Sequence, residues 1–320
     1  MPDPAKPDPH KPDPAKPDPP KPDSPKPDPA PAPLVSIIVP VYRQWRLLPG
    51  LIAALQSQDL DRQAFEVIVV NNEPGAHARA QTLVADAGPR FRTLTCVQPG
   101  SYAARNAGVA SSRGALLLFT DADCLPARDW ARQMLDATRT RPGGLVAGRV
   151  DITLPANPNR WQVFDHIRGI PQDLFVAHGY GATANLAVPR AVFEALGGFD
   201  TTLLSGGDAN FCRRAGRAGH RVHYAAQGLV FHPARSSLTA LRVKARRVKG
   251  GQVASGPFWR RMLWTLRSLV PPLREMLHYA KTAAPWSQRR TAMSVRLMLW
   301  RVELAEIARL LLLRTPRERR

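Results

Sequence analysis

Apolar and polar residues alternate in blocks along the chain, and this pattern predicts strands that alternate with helices between residues 34 and 232. Short apolar runs bounded by turn-forming residues are typical of strands buried on both faces of a parallel sheet. Four such runs are Val35–Val39, Phe65–Val70, Phe91–Val97 and Ala115–Thr120. After the first run, apolar residues recur with helical spacing at Leu48, Leu51, Ile52 and Leu55. Strands separated by such helices predict βαβ units and an α/β fold with a mostly parallel sheet.

Polar side chains stand directly after several of the predicted strands. Tyr42 follows the first strand, Asn72 the second, and Asp121 and Asp123 follow the fourth. The carboxyl ends of parallel strands meet at one edge, where ligands of open α/β sheets bind. Two neighbouring carboxylates there supply the hard oxygen ligands that Mg²⁺ or Mn²⁺ prefers. The alternative is that the Asp-Ala-Asp segment is a turn that caps the following helix.

Composition divides the chain into three parts. Residues 1–33 repeat the pattern Pro-Asp-Pro-x-Lys and hold almost no large apolar side chains. Such a segment cannot form a core, so we expect a disordered, extended arm that acts as a spacer. Residues 34–232 have the composition of a globular domain. Residues 233–320 form a third part, which is strongly basic.

The positive charge of the chain is concentrated in residues 233–320. This segment holds twenty Lys or Arg and four Glu, which is +16 of the formal net charge of +20. Its arginines are interleaved with Trp, Leu and Met, as in amphipathic helices that lie on an anionic membrane surface. No stretch reaches the ~18 apolar residues of a membrane span. The alternatives for this basic helical tail are nucleic-acid binding and a purely structural extension.

The remaining composition predicts a cytoplasmic protein. The N-terminus lacks the apolar region of a secretory signal peptide. The three cysteines, Cys96, Cys124 and Cys212, are odd in number and lack metal-ligand spacing, so a disulfide framework is not expected. Together with the basic tail, this predicts a peripheral protein on the inner face of the plasma membrane.

Several short motifs occur in an order that resembles a known family. They are Val39-Pro40-Val41-Tyr42, Val69-Val70-Asn71-Asn72, Ala104-Arg105-Asn106-Ala107-Gly108, Asp121-Ala122-Asp123, Gly181-Ala182-Thr183-Ala184-Asn185, Gly197-Gly198-Phe199-Asp200 and Gly207-Asp208-Ala209-Asn210. Together they resemble family 2 glycosyltransferases. The resemblance implies a GT-A fold, an αβα sandwich with a nucleotide-binding half (34–123) and an acceptor half (124–232). It also implies inverting sugar transfer from a nucleotide-sugar donor.

The resemblance also implies roles for residues of the nucleotide-binding half. Pro40 and Tyr42 match the segment that lines the base, although Tyr42 also suits a half-buried core position. Asn72 stands where many relatives place a base-contacting Asp, and an amide both donates and accepts. Arg105 matches a position that faces the diphosphate, with a surface ion pair as the alternative. Asn106 is expected to fix the neighbouring loop.

The metal is expected to be Mn²⁺ or Mg²⁺, according to the same resemblance. Asp123 would bind it, and Asp121 would hold ribose or sugar hydroxyls beside it and contribute to the metal site. His232, 24 positions after Asp208, matches a further ligand in several GT-A enzymes, and a structural histidine is the alternative.

Asp208 matches the general base, which takes the proton of the acceptor hydroxyl. The alternative is that Asp208 caps a helix beginning near Ala209. Relatives usually carry Glu where this chain has Gly207, and many have a second acid where it has Asn210. The resemblance implies acceptor binding at Asn185 and Gly207.

Three function classes follow. The first is a hexosyltransferase-like enzyme that acts on a lipid-linked or polysaccharide acceptor of the cell envelope. The second is a catalytically silent nucleotide-sugar-binding protein, and the third is a nucleic-acid-binding protein that uses the basic tail. The first is favoured and no nucleic-acid partner is expected, because the charge is confined to the tail. The donor sugar, the acceptor and the oligomeric state stay open.

Overall fold

The structure is a computed structural model that describes residues 32–203, 205–254 and 257–312. The predicted Pro-Asp-Pro-x-Lys arm lies, except for its last two residues, outside the described residues. These described residues form one compact unit.

The described residues form one eight-stranded sheet with the strand order β3-β2-β1-β4-β7-β6-β8-β5. The strands are β1 (Val35–Val41), β2 (Phe65–Asn71), β3 (Phe91–Thr95), β4 (Leu116–Thr120), β5 (Leu125–Pro126), β6 (Leu145–Thr153), β7 (Asn185–Pro189) and β8 (Val222–Pro233). Strands β3, β2, β1 and β4 are parallel, as the alternation of strand and helix predicts. The antiparallel strand β7 then joins this half to the parallel pair β6 and β8.

Twelve helices are seen in the described residues. They are α1 (Leu48–Gln56), α2 (His77–Ala85), α3 (Ser101–Ala110), α4 (Trp130–Arg139), α5 (Arg160–Arg168), α6 (Gln172–Ala177), α7 (Arg190–Ala195), α8 (Gly207–Arg217), α9 (Leu238–Ala254), α10 (Phe258–Leu269), α11 (Leu273–Ala280) and α12 (Trp286–Leu312). Local signals explain several ends. Pro49 lies in the first turn of α1, and Asn159 begins α5 with a capping box completed by Gln162.

The two faces of the sheet bury separate cores. Because side chains alternate along a strand, Ile37 and Val39 of β1 pack in the core with α1 and α4, whereas Ile38 packs in the core with α3 and α8. Every residue of β1 and β2 is buried. The mixed α/β sandwich agrees with the predicted fold class.

The C-terminal helices share a third core with α5. Phe164 of α5 packs with Leu241 of α9, Tyr279 of α11 and Leu299 of α12. Trp300 of α12 also donates a hydrogen bond to the carbonyl of Ser268, at 2.9 Å. This part of the predicted tail is therefore integrated with the sheet-bearing region. None of the described helices combines the length and apolar character needed to cross a bilayer.

Candidate functional site

The acidic segment after β4 forms a turn at the carboxyl edge of the sheet. The N–H of Cys124 donates to the carbonyl of Asp121 at 3.0 Å, which closes the turn. The next helix, α4, begins only at Trp130, so neither Asp121 nor Asp123 caps it. The turn part of the alternative interpretation is thus correct and the capping part is wrong. Both carboxylates remain available for chemistry at the strand end.

Asp123 lies between two residues from distant parts of the chain. Gln44, in the loop after β1, donates its amide N–H to Asp123 Oδ2 at 2.6 Å. His232, at the end of β8, places Nε2 3.6 Å from the same oxygen. Asp123 Oδ1 is buried and has no hydrogen-bond partner within the described part of the chain. A buried acceptor of this kind is costly unless a proton donor or cation reaches it.

The ring of His232 is oriented by its other nitrogen. Nδ1 lies 2.8 Å from the carbonyl oxygen of Pro233. Because a carbonyl only accepts, Nδ1 donates this hydrogen bond, and the ring is oriented with Nε2 toward Asp123. The carboxylate of Asp123 and the imidazole nitrogen of His232, 3.6 Å apart, are both groups that bind divalent cations.

Asp121 has a different partner. Arg105, on α3, donates to Asp121 Oδ1 at 2.5 Å, and its side chain is only 4% exposed, against 34% for Asp121. Arg105 is therefore not the surface residue of the alternative interpretation. Its Nε is also buried without a hydrogen-bond partner among the described residues. Asp121 neutralises the guanidinium from one side and keeps an exposed edge toward the cleft.

Asp121, Asp123 and His232, the predicted metal ligands, do not come together as one three-residue site. Within the described residues, no group of three or more His, Cys, Asp or Glu side chains is arranged to hold a metal ion. The reason is that the Asp121 carboxylate is turned to Arg105. The local field is nevertheless negative: burial raises the pKa of the Cys124 thiol well above its ordinary value, and the carboxylates of Asp121 and Asp123 add to this.

Asp208 lies in the first turn of α8. This helix begins at Gly207 after Gly206, so the prediction that Asp208 is its N-cap is wrong. Burial raises the pKa of the Asp208 carboxyl, and the charge of Asp121 adds to this, whereas the N–H of Ala209 and the charge of Arg105 oppose it. Asp208 is therefore electrostatically coupled to the Asp121–Arg105 pair.

Tyr102 of α3 contacts both Asp208 and Gly207, the position at which the family resemblance implies Glu. Its hydroxyl accepts a hydrogen bond from the N–H of Gly207 at 2.9 Å and lies 3.4 Å from Asp208 Oδ1. A Cβ at Gly207 would lie 2.6 Å from the Tyr102 ring. The ring thus occupies the space that a larger residue at 207 would need. Gly207 is therefore a packing partner of Tyr102, and it has no side chain that could bind an acceptor as the resemblance implied.

Two residues assigned to base recognition have other contacts. Asn72 is buried; its amide donates to the carbonyls of Cys96 and Gln98 at 2.8 and 2.7 Å and accepts from the N–H of Gly100 at 2.9 Å. These bonds use both amide hydrogens, so Asn72 holds the loop after β3 rather than offering its amide to a base. Pro40 is buried within β1. Neither side chain offers a surface to a nucleotide.

Asn185 is fully buried at the start of β7. It donates to the carbonyls of Arg149 and Gly228 at 2.8 and 2.7 Å and accepts from the Trp130 indole at 2.9 Å. The expected acceptor contact of Asn185 is therefore corrected: its side chain ties β7, β6, β8 and α4 together in the core.

The other two residues of the nucleotide-binding half lie as follows. Asn106 exchanges two hydrogen bonds with the backbone of Phe199, at 2.8 and 3.0 Å, and so fixes a neighbouring loop as expected. Tyr42 is half-buried at the end of β1, and the Arg43 guanidinium lies 5.0 Å from the centre of its ring.

Sequence reasoning missed Gln44 and Tyr102. Gln44 stands in an irregular loop, and no spacing rule links it to a residue 79 positions away. In the sequence, Tyr102 is indistinguishable from the other apolar positions of α3. Its signal was indirect: a glycine at 207, where the family resemblance implies Glu, leaves space that a neighbouring side chain can fill.

Comparisons with known proteins show which sequences and structures this chain resembles. A family model described as glycosyl transferase family 2 matches residues 36–197. Glycosyltransferase AglE of Haloferax volcanii is 31% identical over 226 residues, which cover 69% of this chain and 73% of AglE. Undecaprenyl-phosphate 4-deoxy-4-formamido-L-arabinose transferase of Pseudomonas aeruginosa is 33% identical over 101 residues, or 30% of this chain and 29% of that protein. The chain spans less than half the length of several curated relatives.

One solved structure is similar over most of the chain. Mannosyltransferase PcManGT from Pyrobaculum calidifontis, in complex with GDP-Man and Mn²⁺, superposes with a TM-score of 0.57. The match covers 88% of this chain and 89% of PcManGT at 18% sequence identity. At that identity the likeness concerns the fold.

Proposed function

Because the chain belongs to glycosyl transferase family 2, we propose that it transfers a sugar, with inversion, from a nucleotide-sugar donor to a lipid-linked or polysaccharide acceptor. The observation that carries this proposal is the pairing of Asp123 with His232 at the carboxyl edge, beside the Asp121–Arg105 pair and Asp208. The name of the Pseudomonas relative, an undecaprenyl-phosphate transferase, supports a lipid-linked acceptor.

The donor side of the proposal rests on Asp123 and His232. The unpartnered Asp123 Oδ1 and Nε2 of His232 fit a divalent cation, with Gln44 holding the other carboxylate oxygen. Two protein ligands suffice, since Mg²⁺ and Mn²⁺ commonly keep positions for substrate phosphates and water. Such an ion would neutralise the charge that grows on the departing diphosphate. The complex of PcManGT with GDP-Man and Mn²⁺ is consistent with a donor of this class.

Asp121 and Arg105 are proposed to orient the donor together. The 34% exposed carboxylate of Asp121 offers acceptor atoms to ribose or sugar hydroxyls. The buried guanidinium of Arg105 fixes that carboxylate and adds a positive charge near the diphosphate. Tyr42, half-buried at the end of β1, is proposed to line the base.

Asp208 is proposed to remove the proton of the acceptor hydroxyl. An inverting displacement needs a carboxylate that receives this proton as the new bond forms. Burial raises the pKa of Asp208, and this makes its carboxylate a stronger base than an ordinary aspartate. The Tyr102 hydroxyl, 3.4 Å from Oδ1, orients the carboxylate.

A thermal-stability panel tests the proposed function. The full chain is heated with UDP-, GDP- and dTDP-sugars, each with Mn²⁺, with Mg²⁺ or with EDTA. Ligands that bind the native state raise its apparent stability, so we expect at least one donor to raise Tm only when a divalent metal is present. The selected donor is then followed for sugar release. Stabilisation without turnover toward any lipid phosphate, glycan or water would point to a silent binding protein, and no stabilisation would refute the proposal.

We further propose that the protein attaches to anionic membranes through α10 and α11. Large apolar side chains are exposed along both helices, including Trp259, Leu263 and Leu277 at 63%, 57% and 61%. Exposed arginines such as Arg261 and Arg267 lie among them. An amphipathic surface with both features suits the interface of an anionic bilayer.

A further inference from the structure

A second group of charged side chains lies beside the carboxyl edge, where β8 leads toward α9. Strand β7 is antiparallel to both β4 and β6, and β8 is parallel to β6. Strands β4, β6 and β8 therefore run in the same direction and end at the same edge of the sheet. Arg235, three residues after His232, consequently lies near the proposed catalytic residues but outside the Asp123–His232 pair.

The acidic member of this group is Asp165 of α5, and its negative charge is neutralised by Arg235. Arg235 Nη1 lies 3.2 and 3.0 Å from the two carboxylate oxygens, and the backbone N–H of Arg235 donates to Oδ2 at 3.1 Å. Burial favours a higher pKa for Asp165, yet the charges of Arg235 and Lys244 hold the pKa below its ordinary value. Asp165 is thus ionised and bound by Arg235.

Among the described residues, no carboxylate forms an ion pair at hydrogen-bond distance with the other basic residues of the group, Arg168, Lys244 and Arg247, although Asp165 attracts Lys244. Lys244 and Arg247 lie three residues apart and so on one face of α9. This helix has five basic residues and no acidic residue. Arg247 Nε is buried and has no hydrogen-bond partner in the part of the chain that the structure describes. Burial lowers the pKa of Lys244 well below its ordinary value, and the charges of Arg168, Arg235 and Arg247 add to this, whereas the charge of Asp165 opposes it.

Three arginines and the basic Lys244 surround one carboxylate, Asp165, so positive charge exceeds negative charge in this half-buried place. Burying charges without partners is costly, so such a group is stabilised when an anion completes it. Arginine offers planar, paired donors to phosphate oxygens, and lysine adds a compact point charge. The surplus suits a phosphate dianion better than a singly charged carboxylate.

We propose that Arg168, Arg235, Lys244 and Arg247 form a binding site for a phosphate group, separate from the Asp123–His232 pair. Its position beside the carboxyl edge assigns it to a phosphate carried by the acceptor. The assignment of this phosphate to the acceptor rests on the proposed function. The proposal that these four residues bind phosphate is independent of it.

Phosphate binding to the full chain tests this site in the presence of EDTA and at constant ionic strength. The probes are inorganic phosphate, a short-chain prenyl phosphate and the matching prenyl alcohol. We expect both phosphates, but not the alcohol, to raise Tm and to bind in titration calorimetry. Lys244→Met should weaken phosphate binding about tenfold or more, since hydrogen bonds to charged groups are the strong ones. Lys281→Met, which removes an exposed lysine of the same chain, should leave the affinity unchanged.

Further variants separate the possible outcomes. Arg247→Met should repeat the loss, which covers the case that Lys244→Met does not fold. Tighter binding of the prenyl phosphate than of inorganic phosphate would support a lipid phosphate, and equal binding would support a phosphorylated water-soluble acceptor. Phosphate binding that survives in both Lys244→Met and Arg247→Met, or that is absent from the parent, would overturn the proposal. Asp123→Ala should retain phosphate binding, so a failure of the proposed metal site leaves this test intact.

Discussion

The carboxyl edge of the sheet and the surface of α10 and α11 differ in how they hold the groups proposed to act. At the edge, single atoms have named partners: Asp123 contacts Gln44 and His232, and Asp121 contacts Arg105. On α10, the turn after it and α11, nine large apolar side chains between residues 258 and 277 are exposed side by side. Binding at the carboxyl edge would depend on the exact positions of a few atoms, whereas binding through α10 and α11 would depend on the total apolar area that is exposed.

This difference has consequences for mutation. A hydrogen bond or metal contact weakens steeply with distance and angle, so loss of one atom removes the whole contact. The stabilisation gained from apolar contact is roughly proportional to area, so each side chain contributes a share. Single substitutions should therefore have large effects at the edge and small effects on α10. The four predictions that follow test this contrast, from the largest effect to the smallest.

Asp123→Ala should abolish metal-dependent donor binding, because it removes both carboxylate oxygens beside His232. The fold should persist, since this carboxylate lies in a turn and not in either core of the sheet. Calorimetry with Mn²⁺ and the donor measures the loss. Asp86→Ala, at an exposed position after α2, is the matched control and should bind as the parent does. Equal metal-dependent binding by Asp123→Ala would show that the metal site lies elsewhere.

Asp208→Asn should preserve donor affinity and lower turnover by about 10²–10⁴-fold, the usual contribution of a positioned base. In the parent, burial raises the pKa of Asp208. Because the base must be ionised, the acidic limb of the pH–rate profile should lie at a higher pH than expected for an ordinary aspartate. Single-turnover kinetics across pH measure both effects. An unchanged rate in Asp208→Asn would assign the base to another residue.

Tyr102→Phe should lower turnover by about tenfold or less, because the hydroxyl is 3.4 Å from Asp208 and long hydrogen bonds are weak. Burial raises the pKa of Tyr102, so the hydroxyl stays protonated and favours the ionised form of Asp208. Its removal should raise the pKa of Asp208 and move the acidic limb to higher pH.

The pH profile separates positioning from a general loss of stability. Tyr224→Phe, on β8, is the control, and the acidic limb of its pH–rate profile should stay at the same pH as in the parent. If Tyr102→Phe lowered the rate equally at all pH values, the hydroxyl would have only a structural role.

Leu263→Gln should weaken binding to anionic vesicles by several-fold, since one exposed side chain contributes about 1 kcal/mol of apolar contact. Tm should not change, because the side chain is 57% exposed. Co-sedimentation with anionic and neutral vesicles measures the effect, and Leu34→Gln is a control at a similarly exposed leucine outside α10 and α11.

The vesicle experiment also separates α10 from α12. Removing the whole C-terminal segment would uncover Phe164, which packs with Leu299 of α12, so point substitutions are the better test. Equal vesicle binding by Leu263→Gln, Trp259→Gln and the parent would contradict membrane attachment through this face.

Much of the fold was predictable from the local pattern of residues. Apolar runs indicated β1, β2 and β4, because strands buried on both faces leave few polar positions to interrupt them, whereas β3, at the edge of the sheet, is only partly buried. The position of Asp121 and Asp123 followed, since a residue after a parallel strand must lie at the carboxyl edge. Helix α3 begins at Ser101, directly after Pro99 and Gly100, which are residues that favour turns.

The tertiary structure alone decided which polar groups meet. Nothing in the local sequence shows that the amides of Asn72 and Asn185 are already hydrogen-bonded inside the protein, whereas Asp123 Oδ1 has no partner among the described residues. Partners separated by tens of residues, such as Gln44 and Asp123, are set by strand order. The same holds for α10 and α12, which have similar residue types but different exposure. Local sequence determines the elements, because their periodicity is local; a side chain's partners depend on how those elements pack.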